Sequence, residues 1–547
     1  VHRSLSLPLT LSLTLSLTLP LISDAADTVH LTILHTSDLH GRVLPRDFAR
    51  DAEAGGSLSR VSAAVERLRE SVDHPMLLLD SGDTIQGSAF EGILSVEMAG
   101  PSPTIEAMNA IGYDAMAVGN HEFNYGLEVL RRAEADAEFP LLGANVVDET
   151  SGDPAFPPYA VRAVGDLRVG VLGLVTPNIP NWEEPANYRG LRFEDMAEAA
   201  AKWVPRLRQD EGCDLVIVLS HAGFGRDLDG DGSHAGGLED QSWRVAQVEG
   251  VDLVLTGHTH RDIPPRLLDG VIVSQPLDRG RRLTRIDLEL ARSGAGWSIS
   301  HWSGENLDLE SSPRDRALEA RFAERAEAVE ARLGQPLTRV TDPVTVAGCR
   351  VADCAAVDLI HAVQLEASGA EVSLASLLTD RTPDLAAGPV TRRWVQALYV
   401  YPNTLRSVRL TGAQLRDVLE HSARYYEGLR CDDSGCRVVP AAGIPGYNVD
   451  SAQGVTYGID PSRPVGDRIV GLRFRGDPVD PDREFTVVCN NYRAAGGGAF
   501  PHLPDAPVVW RSSAEVATLM AQHLAGHGEW APEADRNWFV VAAPSAP

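Results

Sequence analysis

Short apolar runs recur along the first half of the chain, each closed by polar residues. Residues 76–79, 115–118, 169–175, 215–219 and 253–255 are continuously apolar over strand-like lengths, and 31–34 is apolar apart from Thr32, which predicts buried strands. Between them, residues 58–69, 105–111, 127–137 and 196–208 carry apolar positions at helical spacing. Alternation of strand and helix from about 27 to 305 predicts a layered α/β architecture. A charged, Ala-rich stretch at 312–334, closed by Pro336, predicts a helix that either links two domains or lies on the surface of the first. Residues 337–545 read as a second, α+β unit. It has a strand at 408–410 with a turn at Thr411-Gly412, a helix at 413–422, and strands at 471–478 and 484–489. The expected boundaries are therefore 27–305, 306–336 for the linker helix, and 337–545.

The first 25 residues differ from all of this. His2 and Arg3 precede a Leu/Ser/Thr/Pro stretch that ends in small residues, a secretory signal pattern with cleavage expected after Ala25. No other stretch reaches the ~18 apolar residues of a membrane span, so no transmembrane segment is expected in the mature chain. A periplasmic or secreted location is the expectation. At 547 residues, 44% hydrophobic and 23% charged, the chain has the composition of a soluble globular protein of two or three domains. Its formal net charge of -27 repels a nucleic-acid polymer at long range, yet allows a small phosphorylated ligand at a local cationic site.

Export permits disulfides, and the six cysteines divide accordingly. Cys349–Cys354 and Cys431–Cys436 each read as a locally bridged pair, with a four-thiolate zinc site as the alternative; Cys213 and Cys489, in apolar surroundings, read as buried free thiols. The stretch from Asp227 to His234 looks like the start of a calcium loop but has Leu238 where a bidentate Glu belongs, so it reads as a surface loop.

The chemistry sits at the strand ends. Five of the six predicted strands run into a polar block: Asp38-Leu39-His40, Gly82-Asp83, Gly119-Asn120-His121-Glu122, Ser220-His221 and Gly257-His258-Thr259-His260. In open α/β sheets, ligands gather beyond the carboxyl ends of strands. The blocks supply two Asp, one Asn and four His of ligand type, plus His121, the donor set of two divalent ions that share a bridging carboxylate. Such a pair polarises phosphoryl oxygens and activates water. Nitrogen and oxygen donors without thiolate suit Zn, Mn, Co and similar metals alike.

In this order the blocks resemble the calcineurin-type metallophosphoesterases. With the second unit, the chain from about residue 31 to 538 resembles the secreted 5′-nucleotidase family. The resemblance implies that Asp38, His40 and His260 hold one metal, that Asn120, His221 and His258 hold the other, and that Asp83 bridges them. It implies that His121 is the unligated imidazole of the reaction. Asn124 stands where the wider family often has an Asp that orients this imidazole. The form Asn120-His121-Glu122-Phe123-Asn124-Tyr125-Gly126 is similar to the 2′,3′-cyclic-nucleotide 2′-phosphodiesterase/3′-nucleotidase branch. So are the segments around Tyr401 and Tyr492, which by resemblance stack a nucleobase, with Tyr399 as the alternative to Tyr401. Gly446–Asp450 and Gly454–Tyr457 also fit this branch. Two features depart from plain 5′-nucleotidases. No Asn-x-Gly-x-x-Arg segment is visible near Arg381, and Gly498 replaces the Asp that grips ribose hydroxyls. The implied activity is hydrolysis of 2′,3′-cyclic and 3′-nucleotides by a monomer acting on small-molecule nucleotides. A 5′-nucleotidase or nucleotide-sugar hydrolase, a thiosulfohydrolase, and a non-catalytic nucleotide-binding protein are the alternatives.

Overall fold

The computed structural model describes residues 28–541 apart from 227, 229–236, 294–295 and 433–434. The predicted leader and most of the acidic loop after Arg226 lie outside the described residues.

The six apolar runs are strands, and they divide between two six-stranded sheets. One runs in the order Gly296–Asp308, Arg282–Ser293, Thr28–Thr36, Met76–Asp80, Ala115–Ala117, Leu141–Leu142. The other runs Ile263–Leu268, Val271–Gln275, Leu253–Thr256, Leu215–His221, Leu167–Val175, Tyr159–Val164. The inner strands of both are parallel; antiparallel strands close both edges of the second sheet and one edge of the first, whose other edge, Leu141–Leu142, is parallel. Side-chain alternation explains why these strands are apolar throughout. Leu31, Ile33, Leu77 and Leu79 face Val169, Val171, Leu215, Ile217 and Leu255 in a core between the sheets. The alternate residues Leu34 and Leu78 pack outward beneath helices, as do Leu172, Val216 and Val218 on the other side.

The helices Leu58–Ser71, Pro103–Ile111 and Met196–Pro205 start at Ser57, Ser102 and Asp195, whose side chains accept from backbone N–H groups of the first turn. The edge hairpin Arg282–Ser293/Gly296–Asp308 was not legible as strands, because its outer strand is largely exposed and polar. It carries strand structure to Asp308, beyond the expected boundary at 305. The 312–334 stretch forms two helices, Arg316–Arg321 and Ala323–Leu333. Leu318, Phe322, Val329 and Leu333 join the first unit's core, so this linker is also a packed surface element.

The second unit holds a five-stranded sheet, Ser451–Gln453, Val372–Ala375, Glu484–Asn490, Leu405–Thr411, Val508–Arg511, and a four-stranded one. Its helices Ala355–Ser368, Gly412–Ala423 and Val516–Gly526 cover them. Thr411-Gly412 is not a turn. Thr411 caps the following helix in a reciprocal box with Gln414, so strand passes directly into helix. The 471–478 segment is a hairpin rather than one strand, with Ile469–Phe474 paired to Asp477–Pro478 around Gly476. Cys349 and Cys354 are disulfide-bonded, and Cys213 and Cys489 are buried free thiols. Cys431 and Cys436 face each other in register across a hairpin; their side chains lie outside the described ones. Among the described residues, no helix is long and apolar enough to cross a membrane.

Candidate functional site

The five polar blocks converge where the parallel strands of both sheets end. Asp38, His40 and His260 bring ligand atoms within 4.8 Å of one another, and Asp83, His221 and His258 do the same beside them. Within the first group His260 Nε2 lies 3.3 Å from Asp38 Oδ1 and 3.0 Å from His40 Nε2. Within the second, His221 Nε2 lies 3.0 Å from Asp83 Oδ2 and 3.1 Å from Asn120 Oδ1. The backbone is strained to achieve this. Asp38, His40, Asp83, His258 and His260 all have left-handed φ, at 53°, 49°, 58°, 73° and 51°. Two glycines allow the close approach. A Cβ on Gly119 would stand 2.3 Å from Asp83 Oδ1, and one on Gly257 2.1 Å from Ser37 Oγ.

The far sides of His40, His221 and His258 are held by hydrogen bonds, which aim the other nitrogen inward, and a carboxylate stands behind His260. His40 Nδ1 donates to Gln86 O at 3.0 Å and His221 Nδ1 to Ser81 O at 2.7 Å. His258 Nε2 meets Glu239 at 3.0 Å, and His260 Nδ1 lies 3.6 Å from the buried Asp278. Burial opposes charge on all these groups, yet the surrounding imidazoles hold Asp38 and Asp83 well below the usual carboxylate range. Against its own burial, His221 is raised to about 10 by Asp83, and His260 is raised by Asp38. Burial, then His260 and Arg279, push His40 down to about 3. Each of the two carboxylates thus favours positive charge beside it. Buried carboxylates that favour positive charge, surrounded by imidazole nitrogens aimed at them, fit divalent cations that would take the place of the protons on those imidazoles.

Several functional neighbours were not legible as such. Glu122 is buried and accepts from Gly119 N at 2.5 Å, Asp83 N at 2.9 Å, Thr84 N at 2.6 Å and Ile85 N at 3.2 Å, so it holds the Asp83 loop in place. Arg279, after the buried Asp278, donates its backbone N–H to Asp38 O and reaches the cleft beside His260. Trp182 stacks on His258 with ring centres 5.5 Å apart. Glu122 lies inside a polar block read from the sequence but was given no role there, and Arg279 and Trp182 lie outside all five blocks.

His121 stands at the rim, with its backbone N–H donating to Asp83 Oδ1 at 2.8 Å and its Nε2 3.9 Å from Asp83 Oδ2. Its Nδ1 lies 2.5 Å from Asn124 Oδ1, and Asn124 Nδ2 donates to the Glu183 carboxylate. The rim opens into a cleft of about 1180 Å³ between the two units, lined by His40, His121, Asn124, His260 and Arg279 on one side and by Tyr401, Asn491 and Arg511 on the other. Arg381 also lines it.

Tyr401 and Tyr492 are 45% and 41% exposed, and Tyr447 is 38% exposed. Tyr399, the alternative stacker, is buried in the core. Behind these rings lies Arg493, 2% exposed. It pairs in bidentate fashion with Asp450 at 2.8 and 2.9 Å and donates to Tyr447 O, Asn448 Oδ1 and Gly497 O. Gly498 leaves this guanidinium its space, since a Cβ there would meet Arg493 Nη1 at 2.4 Å.

Residues 31–262 match the model of calcineurin-like phosphoesterases, and residues 335–505 match that of the 5′-nucleotidase C-terminal domain. A Yersinia enterocolitica 2′,3′-cyclic-nucleotide 2′-phosphodiesterase/3′-nucleotidase is 30% identical over 94% of this chain and 89% of its own. The chain belongs to the 5′-nucleotidase family. Within that family it is 28% identical, over 94% of its length, to the Bacillus subtilis trifunctional nucleotide phosphoesterase YfkN, of which it spans 39%. A crystal structure from Staphylococcus aureus, assigned as a 5′-nucleotidase and bound to alpha-ketoglutarate, superposes with a TM-score of 0.79 at 28% identity, covering 93% of this chain and 99% of that one. The fold is thus the two-domain 5′-nucleotidase fold, with a metallophosphoesterase domain followed by a nucleotidase C-terminal domain. The chain is a phosphoric ester hydrolase of the metal-dependent type.

Proposed function

We propose that this protein opens 2′,3′-cyclic nucleotides to 3′-nucleotides and then hydrolyses these to nucleoside and phosphate. The observation that carries the reading is the cleft: His40 and His260 of the first donor group line one wall, with the second donor group packed beside the first, and Tyr401 of the other domain lines the opposite wall, while Tyr492 is exposed but not part of that lining. Relatives of similar length named for this reaction support it.

Asp38, His40 and His260 would hold one divalent ion, and Asn120, His221 and His258 a second, with Asp83 between them; Zn, Mn and Co all suit these donors. Such ions, when bound, polarise the phosphoryl oxygens and offset charge that develops during in-line displacement. The chain's own residues do the rest. A water oxygen bonds to phosphorus as the P–O2′ bond breaks; the water gives up one proton to solvent, and the released 2′ oxygen takes one from Nε2 of His121 in its doubly protonated form, which leaves the ring neutral with its proton on Nδ1 until solvent recharges it. In the second cycle the P–O3′ bond breaks in the same way. Arg279 adds a cation beside the phosphate position. Tyr401 and Tyr492 hold the base by stacking, which any base accepts. Without a side chain at position 498, nothing there grips the ribose diol, so its 2′ and 3′ oxygens are free to face the phosphoesterase wall.

Residues 27–305 would thus do the chemistry and 337–545 hold the base, with 306–336 joining them. The leader pattern and the Cys349–Cys354 disulfide support work outside the cytoplasm, in periplasm or exterior. The test is a substrate panel after chelation and reloading with Zn, Mn or Co. Cyclic 2′,3′-AMP and 3′-AMP should be turned over, and activity should vanish with chelator. Turnover of 5′-AMP well above both would overturn the reading.

A further inference from the structure

Glu183 belongs to neither group of metal donors, yet it ends a chain of contacts that begins on His121. Its side chain is buried, and every hydrogen bond to its carboxylate among the described residues comes from a donor, although the Glu515 carboxylate lies near enough to interact with it electrostatically. Asn124 Nδ2 donates to Oε2, while Glu184 N, at 2.7 Å, and Asn187 Nδ2, at 2.9 Å, donate to Oε1. A partner that only accepts decides which way round an amide sits. Nδ2 of Asn124 must face Glu183, so Oδ1 must face His121. That oxygen can only accept, and the nitrogen 2.5 Å from it is His121 Nδ1. Nδ1 therefore carries the ring proton of neutral His121. Nε2, on the opposite edge, faces Asp83 and the cleft. A second bond, from Asn187 Nδ2 to Asn124 O at 3.0 Å, fixes the same backbone.

The loop that carries Glu183 is fastened by the other domain. Arg406, itself buried, donates to Asn181 O at 3.1 Å and Trp182 O at 3.3 Å, and Asn491 Nδ2 donates to Trp182 O at 2.9 Å. These contacts hold the Glu183 loop in one place relative to Asn124.

We propose that Glu183 is a positioning residue that acts through Asn124: it supplies, one amide removed, the carboxylate that sets the tautomer and orientation of His121. This rests on the reading of His121 as the imidazole that meets the substrate. Asn124 is then a relay, and the negative charge its side chain lacks lies one contact further out.

The arrangement predicts a reciprocal exchange. Glu183→Gln removes the acceptor-only partner and lets the Asn124 amide take either orientation. Asn124→Asp sets two acceptors against each other. Each change alone should lower kcat about tenfold or more with KM within about twofold, the scale of general acid–base assistance. The double variant Asn124→Asp/Glu183→Gln restores one carboxylate and one amide in complementary order, and should return kcat to within about threefold of the wild type. Losses that simply multiply in the double variant would overturn the proposal. Rates are read on bis(p-nitrophenyl) phosphate as well as on nucleotides, so an error in substrate preference leaves the comparison intact. A second measurement needs no variant of the relay. In Zn-loaded wild type with ¹⁵N-labelled histidine, the His121 signals, identified by their loss in His121→Gln, should show a protonated Nδ1 and a bare Nε2 in the neutral ring. The opposite tautomer would also overturn the proposal.

Discussion

Asn124 and His361 illustrate what a single residue discloses and what it withholds. At Asn124 the sequence shows the absence of a charge, and nothing in it identifies Glu183, 59 positions on, as the nearest carboxylate. The metal donors were legible because their type is rare and each follows a buried strand; their partners Gln86, Ser81 and Glu239 were not, because backbone carbonyls and loop acids have no motif. Tyr399 and Tyr401 could not be told apart by type either. Strand alternation would put both rings on one face, and the segment is not a strand, so the pattern does not say which ring faces the core. If Tyr401 and Tyr492 stack the base, Tyr492→Ala should raise KM for nucleotides ~5- to 150-fold, the equivalent of about 1–3 kcal/mol, and leave p-nitrophenyl phosphate hydrolysis unchanged. Equal losses on both substrates would place the ring outside the base site. His361 supplies a pH dependence remote from the metals. It is buried between Ser373 and Ser451, and burial pushes it down to about 3 from 6.5. The unfolded chain therefore binds the proton that the folded one refuses between pH 6.5 and 3. The stability that depends on the neutral ring is complete above 6.5 and falls as pH drops, at about 1.4 kcal/mol per unit. Denaturant midpoints measured from pH 7 to 4 should decline in the wild type and decline less steeply in His361→Gln.

At the level of elements, the strands and main helices of the first domain were readable because they are buried on two faces or on one clear stripe. The outer edge hairpin and the Thr411 cap were not, since one is exposed on its outer strand and the other joins strand to helix without loop residues. The segments that bear Tyr447 and Tyr492 have little regular structure to hold them. Arg493 substitutes for it by tying Asp450, Tyr447 and the Gly497 carbonyl together. Arg493→Met would strand a buried Asp450 and should cost about 3–5 kcal/mol in equilibrium unfolding, with much of the loss recovered in Arg493→Met/Asp450→Asn. A near-neutral single variant would show that the guanidinium is dispensable to these segments.

On the scale of the whole molecule, the division of labour between domains depends on their contact. Arg406 reaches from the nucleotidase domain to the carbonyls of the short helix Ile179–Trp182 and its cap, and that segment carries both Trp182, against His258, and Glu183. Arg406→Met should therefore depress kcat about tenfold although the residue lies outside both metal groups, and should expose the segment to proteolysis. An unchanged kcat with a loosened segment would separate domain contact from chemistry. The central claim concerns the order of bonds broken, and ³¹P NMR of 2′,3′-cyclic AMP in the presence of the metal-loaded protein observes this order directly. The predicted course is conversion to 3′-AMP, without 2′-AMP, followed by inorganic phosphate. Accumulation of 2′-AMP, or a cyclic substrate left intact while 5′-AMP is consumed, would contradict it.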